Sequence, residues 1–480
     1  MKQSSPTVFA TAVVVAFAAL ASSGGCGGPV KVADPRASLR DPGQSPRVHL
    51  GAMAALDADP TDEAYLEALH RMVWFPGFTI SVREEALKRL EMHDPEGLHR
   101  TIRQYLPRLS AWQWLTRLCE IIADRGWTDL TPALVSSWAR PVQAGHDELD
   151  RPEYKALARL YGANKVRDVV FDLFVESSRV SDQGLRTRCW ELLHRLGGRD
   201  MLADYVETGD FAADDLFLQD LHTGATELGI VPSTREEILW IRELCKPEYE
   251  VFRSQVRQAM TSSDVRRRER LELRDLPILV SAMLHEPELL ALTRAELYDQ
   301  LSDDLKSRKH YLTTSNFEGV NSGHRQRLFD FRDELTWGDL AAMRIAVRAM
   351  SVPQVVEHLF DYAERDMADT GTEYGGVLAL DDRGRFEVLE FMPRIRTHDR
   401  QFNAPQAMLD AAYDSLFHFH LHAQRYHNED FAGPGYGDSN YADNLRANCL
   451  VFTFVHEKAL NVDFYRHGRV VVDLGVITRE

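Results

Sequence analysis

From about Thr61 to Leu305 apolar residues recur at intervals of three and four. Examples are Val82-Arg-Glu-Glu-Ala-Leu-Lys-Arg-Leu90 and Leu185-Arg-Thr-Arg-Cys-Trp-Glu-Leu-Leu-His-Arg-Leu196. That period lines the apolar side chains along one stripe of a helix. The helices come in pairs with short breaks, at His93-Asp-Pro-Glu96 in one and Gly197-Gly-Arg-Asp200 in another. Pairs start near Ser81, Ala111, Glu153 and Leu185, at intervals of 30, 42 and 32 residues. The pattern predicts an all-α region over residues 59–345, an irregular HEAT-like solenoid in which each pair buries its apolar face on its neighbours. A compact helical domain is the alternative.

After a polar stretch, Thr313–His324, and further helices to about Arg365, the period changes. Gly376–Leu380 and Arg385–Phe391 alternate around Asp381-Asp-Arg-Gly384, which predicts a hairpin. Ala404–Leu416 has a helical period and Phe417–His422 reads as a strand. A Gly-rich loop and a short helix near Tyr441–Asn448 follow. Cys449–Phe454, Asn461–Tyr465 and Arg469–Leu474 read as strands, with a turn at His467-Gly468. The order predicts a small α/β domain over residues 346–480.

The N-terminus reads as a targeting segment. Lys2 precedes the apolar run Val8–Ala21, too short to span a bilayer comfortably and suited to a signal-peptide core. Ala21-Ser-Ser-Gly-Gly-Cys26 resembles a bacterial lipoprotein signal, which implies a signal peptide over 1–26 and a lipid on Cys26. Cleavage after Ala21 without lipidation is the alternative. Either way the expected protein is exported, and with the lipid it is membrane-anchored on the periplasmic or extracellular side. Residues 27–58, rich in Gly, Pro, Ala, Asp and Ser, are expected to be a linker.

The formal charge of −17 argues against nucleic acid as a partner. The basic run Arg266–Arg270 lies among acidic residues and reads as a solvated helix face. Of the cysteines, Cys119, Cys189, Cys245 and Cys449 form no CxxC pair, and Cys119 and Cys189 read as buried thiols.

Four of the 18 histidines fall between His418 and His427. In His418-Phe-His-Leu-His422 the spacing of two puts three imidazoles on one face of a strand, and neutral imidazole is a common metal ligand. The ordered set around them resembles the JAMM (JAB/MPN) metalloproteases over about residues 350–480. Glu373-Tyr-Gly-Gly-Val-Leu378 is similar to that family's glutamate before a Gly-bearing strand. Phe419-His-Leu-His-Ala423 is similar to its aromatic-His-x-His-Pro, and Pro434-Gly-Tyr-Gly-Asp438 to its Pro-Ser-x-x-Asp. The resemblance implies zinc held by His420, His422 and Asp438 and an open position for water, with Glu373 as general base. It implies an exported zinc-dependent peptidase or isopeptidase.

Two departures stand out. Gly435 occupies the place of the serine that helps hold the oxyanion, with Ser439 on the other side of Asp438. The 15 residues between His422 and Asp438, including His427, Glu429 and Asp430, make a longer loop than the family's, a candidate lid or substrate loop. Asp443 is a rival ligand, and Glu364, Glu387 and Glu390 are rival bases. The alternative function is a non-catalytic scaffold lipoprotein, binding a protein partner through its helices and a degenerate JAMM-like domain.

Overall fold

The computed structural model describes residues 31–140, 147–261, 271–312, 325–393 and 402–479. The signal segment, Cys26, the basic run at 266–270 and the stretch 313–324 lie outside the described residues. Two compact units divide between Ser137 and Trp138. Among the described residues no helix is long and apolar enough to cross a membrane.

The first unit is helical. Its described residues begin with Pro35–Arg40 and Pro46–Leu56, where a linker was expected. Both helices start on a capping side chain followed by proline. Asp34 accepts from the amide of Ala37, and Ser45 from that of Val48. The Asp-Pro and Ser-Pro pairs that looked like linker composition are therefore helix starts. Leu39, Ala52 and Met53 are buried, so this stretch joins the core. Glu63–Trp74, Ile80–His93 and Pro95–Tyr105 then pack each on the next, and Trp112–Arg125 ends at Gly126, whose φ of 67° is left-handed.

The second unit opens with more sequentially packed helices, Val166–Glu176 on Gln183–Arg195 and Arg199–Thr208 on Leu216–Thr226. Its later part is a six-stranded mixed sheet with helices on it. The strands are β1 (Gly375–Leu380), β2 (Phe386–Phe391), β3 (Phe417–His422), β4 (Cys449–His456), β5 (Ala459–Arg466) and β6 (Val470–Thr478). Their spatial order is β2-β1-β3-β4-β5-β6. Only β3 and β4 pair in parallel, and the helix Tyr436–Leu445 lies in the crossover that a parallel pair requires.

One sheet face is apolar. Phe417, Phe419 and Leu421 of β3, Leu450, Phe452 and Phe454 of β4, and Val462 and Phe464 of β5 share one core with the helices Arg235–Leu244, Leu276–His285, Trp337–Ala349 and Pro353–Ala368. This core runs in sequence from Leu228 to Ile477, so the boundary expected near 345 falls inside it. The helices from about 228 onward cover a sheet instead of stacking as repeats. Their apolar stripes look the same in sequence whether the neighbour is a helix or a strand.

A buried ionic network ties these helices to the sheet. The Asp339 carboxylate accepts from Arg274 at 2.7 Å and from Arg466 of β5 at 2.9 and 3.0 Å. Arg274 also donates to the Asn448 side chain at 2.7 Å, whose amide donates back to the Arg274 carbonyl at 2.9 Å. The Asn448 carbonyl in turn accepts from the His418 amide at 2.9 Å, which fixes the start of β3.

Candidate metal centre

The other sheet face carries the histidines. His418, His420 and His422 stand opposite Cys449, Val451 and Thr453 of β4, which stand opposite Tyr465, Asp463 and Asn461 of β5. All lie on one face because facing residues and alternate residues share a side. On the other flank β1 runs antiparallel to β3, with Gly375 opposite His420 and Gly376 opposite Phe419. Two steps back along that register Glu373 stands opposite His422, and the Leu421 amide donates to the Tyr374 carbonyl at 3.0 Å to continue the ladder.

The two glycines that open β1 are needed for that approach. A Cβ on Gly375 would lie 2.6 Å from the Phe419 carbonyl oxygen, and one on Gly376 would lie 2.1 Å from that of Leu389. Tyr374 is anchored by its amide to Asp366 at 3.0 Å, and Gly375 by its carbonyl to the Tyr362 hydroxyl at 2.9 Å. Glu373 is thereby held in place and buried.

Asp438 arrives from the crossover. Gly435 precedes the helix Tyr436–Leu445 in extended backbone, and Asp438 sits in its first turn. Its Oδ2 accepts from the Gly435 amide at 2.7 Å and lies 3.3 Å from His420 Nε2. A carboxylate here satisfies an unpaired helix amide and favours the positive end of the helix.

Three of the side chains converge. His420 Nε2 and His422 Nε2 are 3.2 Å apart, and Glu373 Oε1 lies 3.5 Å from His422 Nε2. Ligand atoms of Glu373, His420 and His422 all fall within 4.8 Å of one another, the one such group among the described residues. Asp438 flanks this group on the His420 side. The close group thus takes in Glu373, expected as the base, and leaves out Asp438, expected as the third ligand, which approaches the His420 imidazole alone at 3.3 Å.

The outer nitrogens are occupied. His422 Nδ1 lies 2.7 Å from the Phe431 carbonyl, which can only accept, so Nδ1 carries the proton and neutral His422 keeps its Nε2 lone pair facing the site. His420 Nδ1 lies 3.3 Å from the Tyr465 hydroxyl, and His418 Nδ1 2.7 Å from that of Tyr441. His418 is thus committed to Tyr441 and stands outside the converging set.

Charge follows this arrangement. Burial pulls His420 down, but the Asp438 carboxylate, by charge and hydrogen bond and with Glu373 behind it, lifts it to about 9. His422 is held down near 4 by burial and then by the charge on His420. Burial raises Asp438, yet His420, His422 and the Gly435 amide leave it well below the usual carboxylate range. Burial alone pushes His418 to about 4.

The rivals are engaged elsewhere. Asp443 accepts from the Gly468 amide at 2.8 Å and shapes the turn before β6. Glu364 pairs with Arg479, Glu390 with His358 at 2.7 Å and with Arg365, and Glu387 lies on β2 opposite Ala379. The long loop after His422 is built into the site's support. Asn428 is buried, its amide nitrogen donates to the Phe454 carbonyl at 2.8 Å, and its side chain donates to the His422 carbonyl at 3.1 Å. Ser439 Oγ donates to the Gly435 carbonyl at 3.1 Å and so does not replace the missing serine.

Sequence reasoning missed Tyr465, Tyr441, Asn428 and the Phe431 carbonyl. Tyr465 lay on a predicted strand, but its place beside His420 depends on a register across an intervening strand. A backbone carbonyl leaves no trace in residue type. No family model, curated protein or solved structure matches this chain.

Proposed function

We propose that the chain is a zinc-dependent hydrolase of amide or isopeptide bonds of the JAMM kind. One observation carries the reading. Two ligands on one tetrahedral zinc, each at about 2.0–2.1 Å, lie about 3.3 Å apart. The ligand pairs His420–His422 and His420–Asp438 stand at 3.2 and 3.3 Å, and Glu373, 3.5 Å from His422 Nε2, stands beside them as a base would. The donor set, two imidazoles and a carboxylate with a second carboxylate beside them, is that of a catalytic zinc site.

In this reading His420, His422 and Asp438 hold the ion and Glu373 is the general base. When bound, the zinc acidifies a water and polarises the scissile carbonyl. Glu373 Oε1 takes the proton of the attacking water and later returns it to the leaving nitrogen. The carbonyls of Phe431 and Tyr374 and the two glycines of β1 keep the imidazoles and Glu373 in position. With Cys26 lipidated, the protein acts at the outer face of a membrane, on peptide or protein substrates there.

A second reading, a non-catalytic binding protein, draws on Gly435. The position offers no hydroxyl to a tetrahedral oxyanion, and Ser439 is turned onto the Gly435 carbonyl. Removing one such donor costs about 10²–10³ in rate. Two variants of the full-length chain separate the readings. Asp438→Ala is expected to lose zinc, whereas Glu373→Gln is expected to keep zinc and lose peptide or isopeptide cleavage. A wild type that binds zinc and cleaves nothing across a peptide and isopeptide panel would leave the binding reading.

A further inference from the structure

On the face that carries the histidines, the neighbouring strands hold a second set of buried polar groups that the hydrolytic step does not use. Thr453 of β4 stands opposite Asn461 of β5, and Asp463, two residues further along β5, stands opposite Asp473 of β6. All four are buried. Asn461 Nδ2 donates to Asp463 Oδ2 at 2.8 Å. Thr453 Oγ1, Asn461 Oδ1 and Asp463 Oδ1 have no hydrogen-bond partner among the described residues.

Buried polar oxygens are almost always bonded, and buried charges are paired or coordinate a metal. The one side chain bonded to the Asp463 carboxylate among the described residues is the neutral Asn461 amide. Asp473 adds to the negative charge. Its Oδ1 accepts from the Gly475 amide at 2.6 Å, and its Oδ2 accepts from the Tyr311 amide at 2.9 Å and lies 3.2 Å from His310 Nδ1. A water could bond the three free oxygens but would leave that charge in place. A cation meets both needs.

Donor chemistry narrows the ion. A carboxylate, an amide carbonyl and a hydroxyl are hard oxygen ligands, and such a set suits calcium or magnesium. Magnesium holds to octahedral geometry and keeps several waters, whereas calcium accepts irregular oxygen sets. We propose that Thr453, Asn461 and Asp463 hold a calcium ion, with Asp473 supplying charge behind them, in a structural site separate from the histidine pair. Thr453 stands between His422 and Asn461 in the sheet, so the ion braces the strand next to the one that bears the histidines. This inference does not rest on the hydrolase reading.

The test uses the full chain, stripped of metal and dialysed against Ca²⁺ alone. One calcium per chain is expected, with a Tm that rises with Ca²⁺ concentration. Mg²⁺ at equal concentration is expected not to displace it. Asp463→Asn, which keeps the shape of the side chain, is expected to lose both the ion and the response of Tm to Ca²⁺, and Thr453→Val to weaken binding. The double variant His420→Ala/His422→Ala is expected to keep its calcium. A wild type that binds no calcium at about 1 mM, the weak end of known protein sites, overturns the proposal. So does Asp463→Asn that binds as wild type does, or calcium lost from the histidine double variant. Displacement by Mg²⁺ overturns calcium as the occupant. Wild type that holds calcium but no zinc contradicts the hydrolase reading and supports this one by itself.

Discussion

At the scale of single residues, His420 and His422 share a face because of a spacing, and they meet Glu373 because of a register. The spacing of two is written in the chain, and the histidine pair was legible from it. The order of Glu373, the pair and Asp438 was legible too. The hydrogen-bond partners behind the imidazoles were not, because Tyr465 comes from the second strand over and Phe431 contributes only its backbone. In the proposed hydrolase, Gly435 stands where a serine hydroxyl would meet the oxyanion. Its φ is −82°, and a Cβ there would meet Asp438 Oδ2 at 3.5 Å, an ordinary contact, so a serine fits. Gly435→Ser is expected to raise kcat on a peptide or isopeptide substrate by about 10²–10³ with the fold unchanged. An unchanged kcat would show that the hydroxyl has no oxyanion to meet.

At the scale of elements, β3 was predicted with its observed bounds, Phe417–His422, and the hairpin and closing strands were found within a few residues. Helix ends were harder. The predicted helix 404–416 shrinks to Gln406–Ala411, and the Tyr413 carbonyl is taken by the Trp240 indole at 2.7 Å. The helix expected near Tyr441 starts at Tyr436, because Asp438 supplies the amide of Gly435 with a partner that a Gly-Tyr-Gly sequence does not advertise. The residues holding sheet to helices come from distant parts of the sequence, and no local pattern announces them. Asp339 is fully buried between Arg274 and Arg466. Asp339→Ala removes the buried carboxylate that two buried guanidinium groups share and is expected to cost about 3–5 kcal/mol of stability, read as a lower urea midpoint at constant slope. A loss within about 0.5 kcal/mol, the range of ordinary surface changes, would show that the network does not anchor the sheet.

At the scale of the molecule, the helical majority and the sheet near the C-terminus were both legible, but the sharing of one core between them was not. An apolar helical stripe does not say what it packs against. A fragment over 350–480 would leave behind the helices bearing Trp240, Leu279 and Leu340, which share the core of the apolar sheet face. Such a fragment is expected to aggregate or give a poorly dispersed NMR spectrum, while 138–480 unfolds cooperatively. A well-folded 350–480 fragment would restore the boundary that the sequence suggested. For the same reason metal analysis belongs on the longer chain. The most direct test of the account is zinc content at neutral pH after extensive dialysis, for wild type, Glu373→Gln and the double variant His420→Ala/His422→Ala. The account predicts one zinc per chain in wild type and in Glu373→Gln and none in the double variant. No zinc in wild type, or zinc retained without the two histidines, would contradict it.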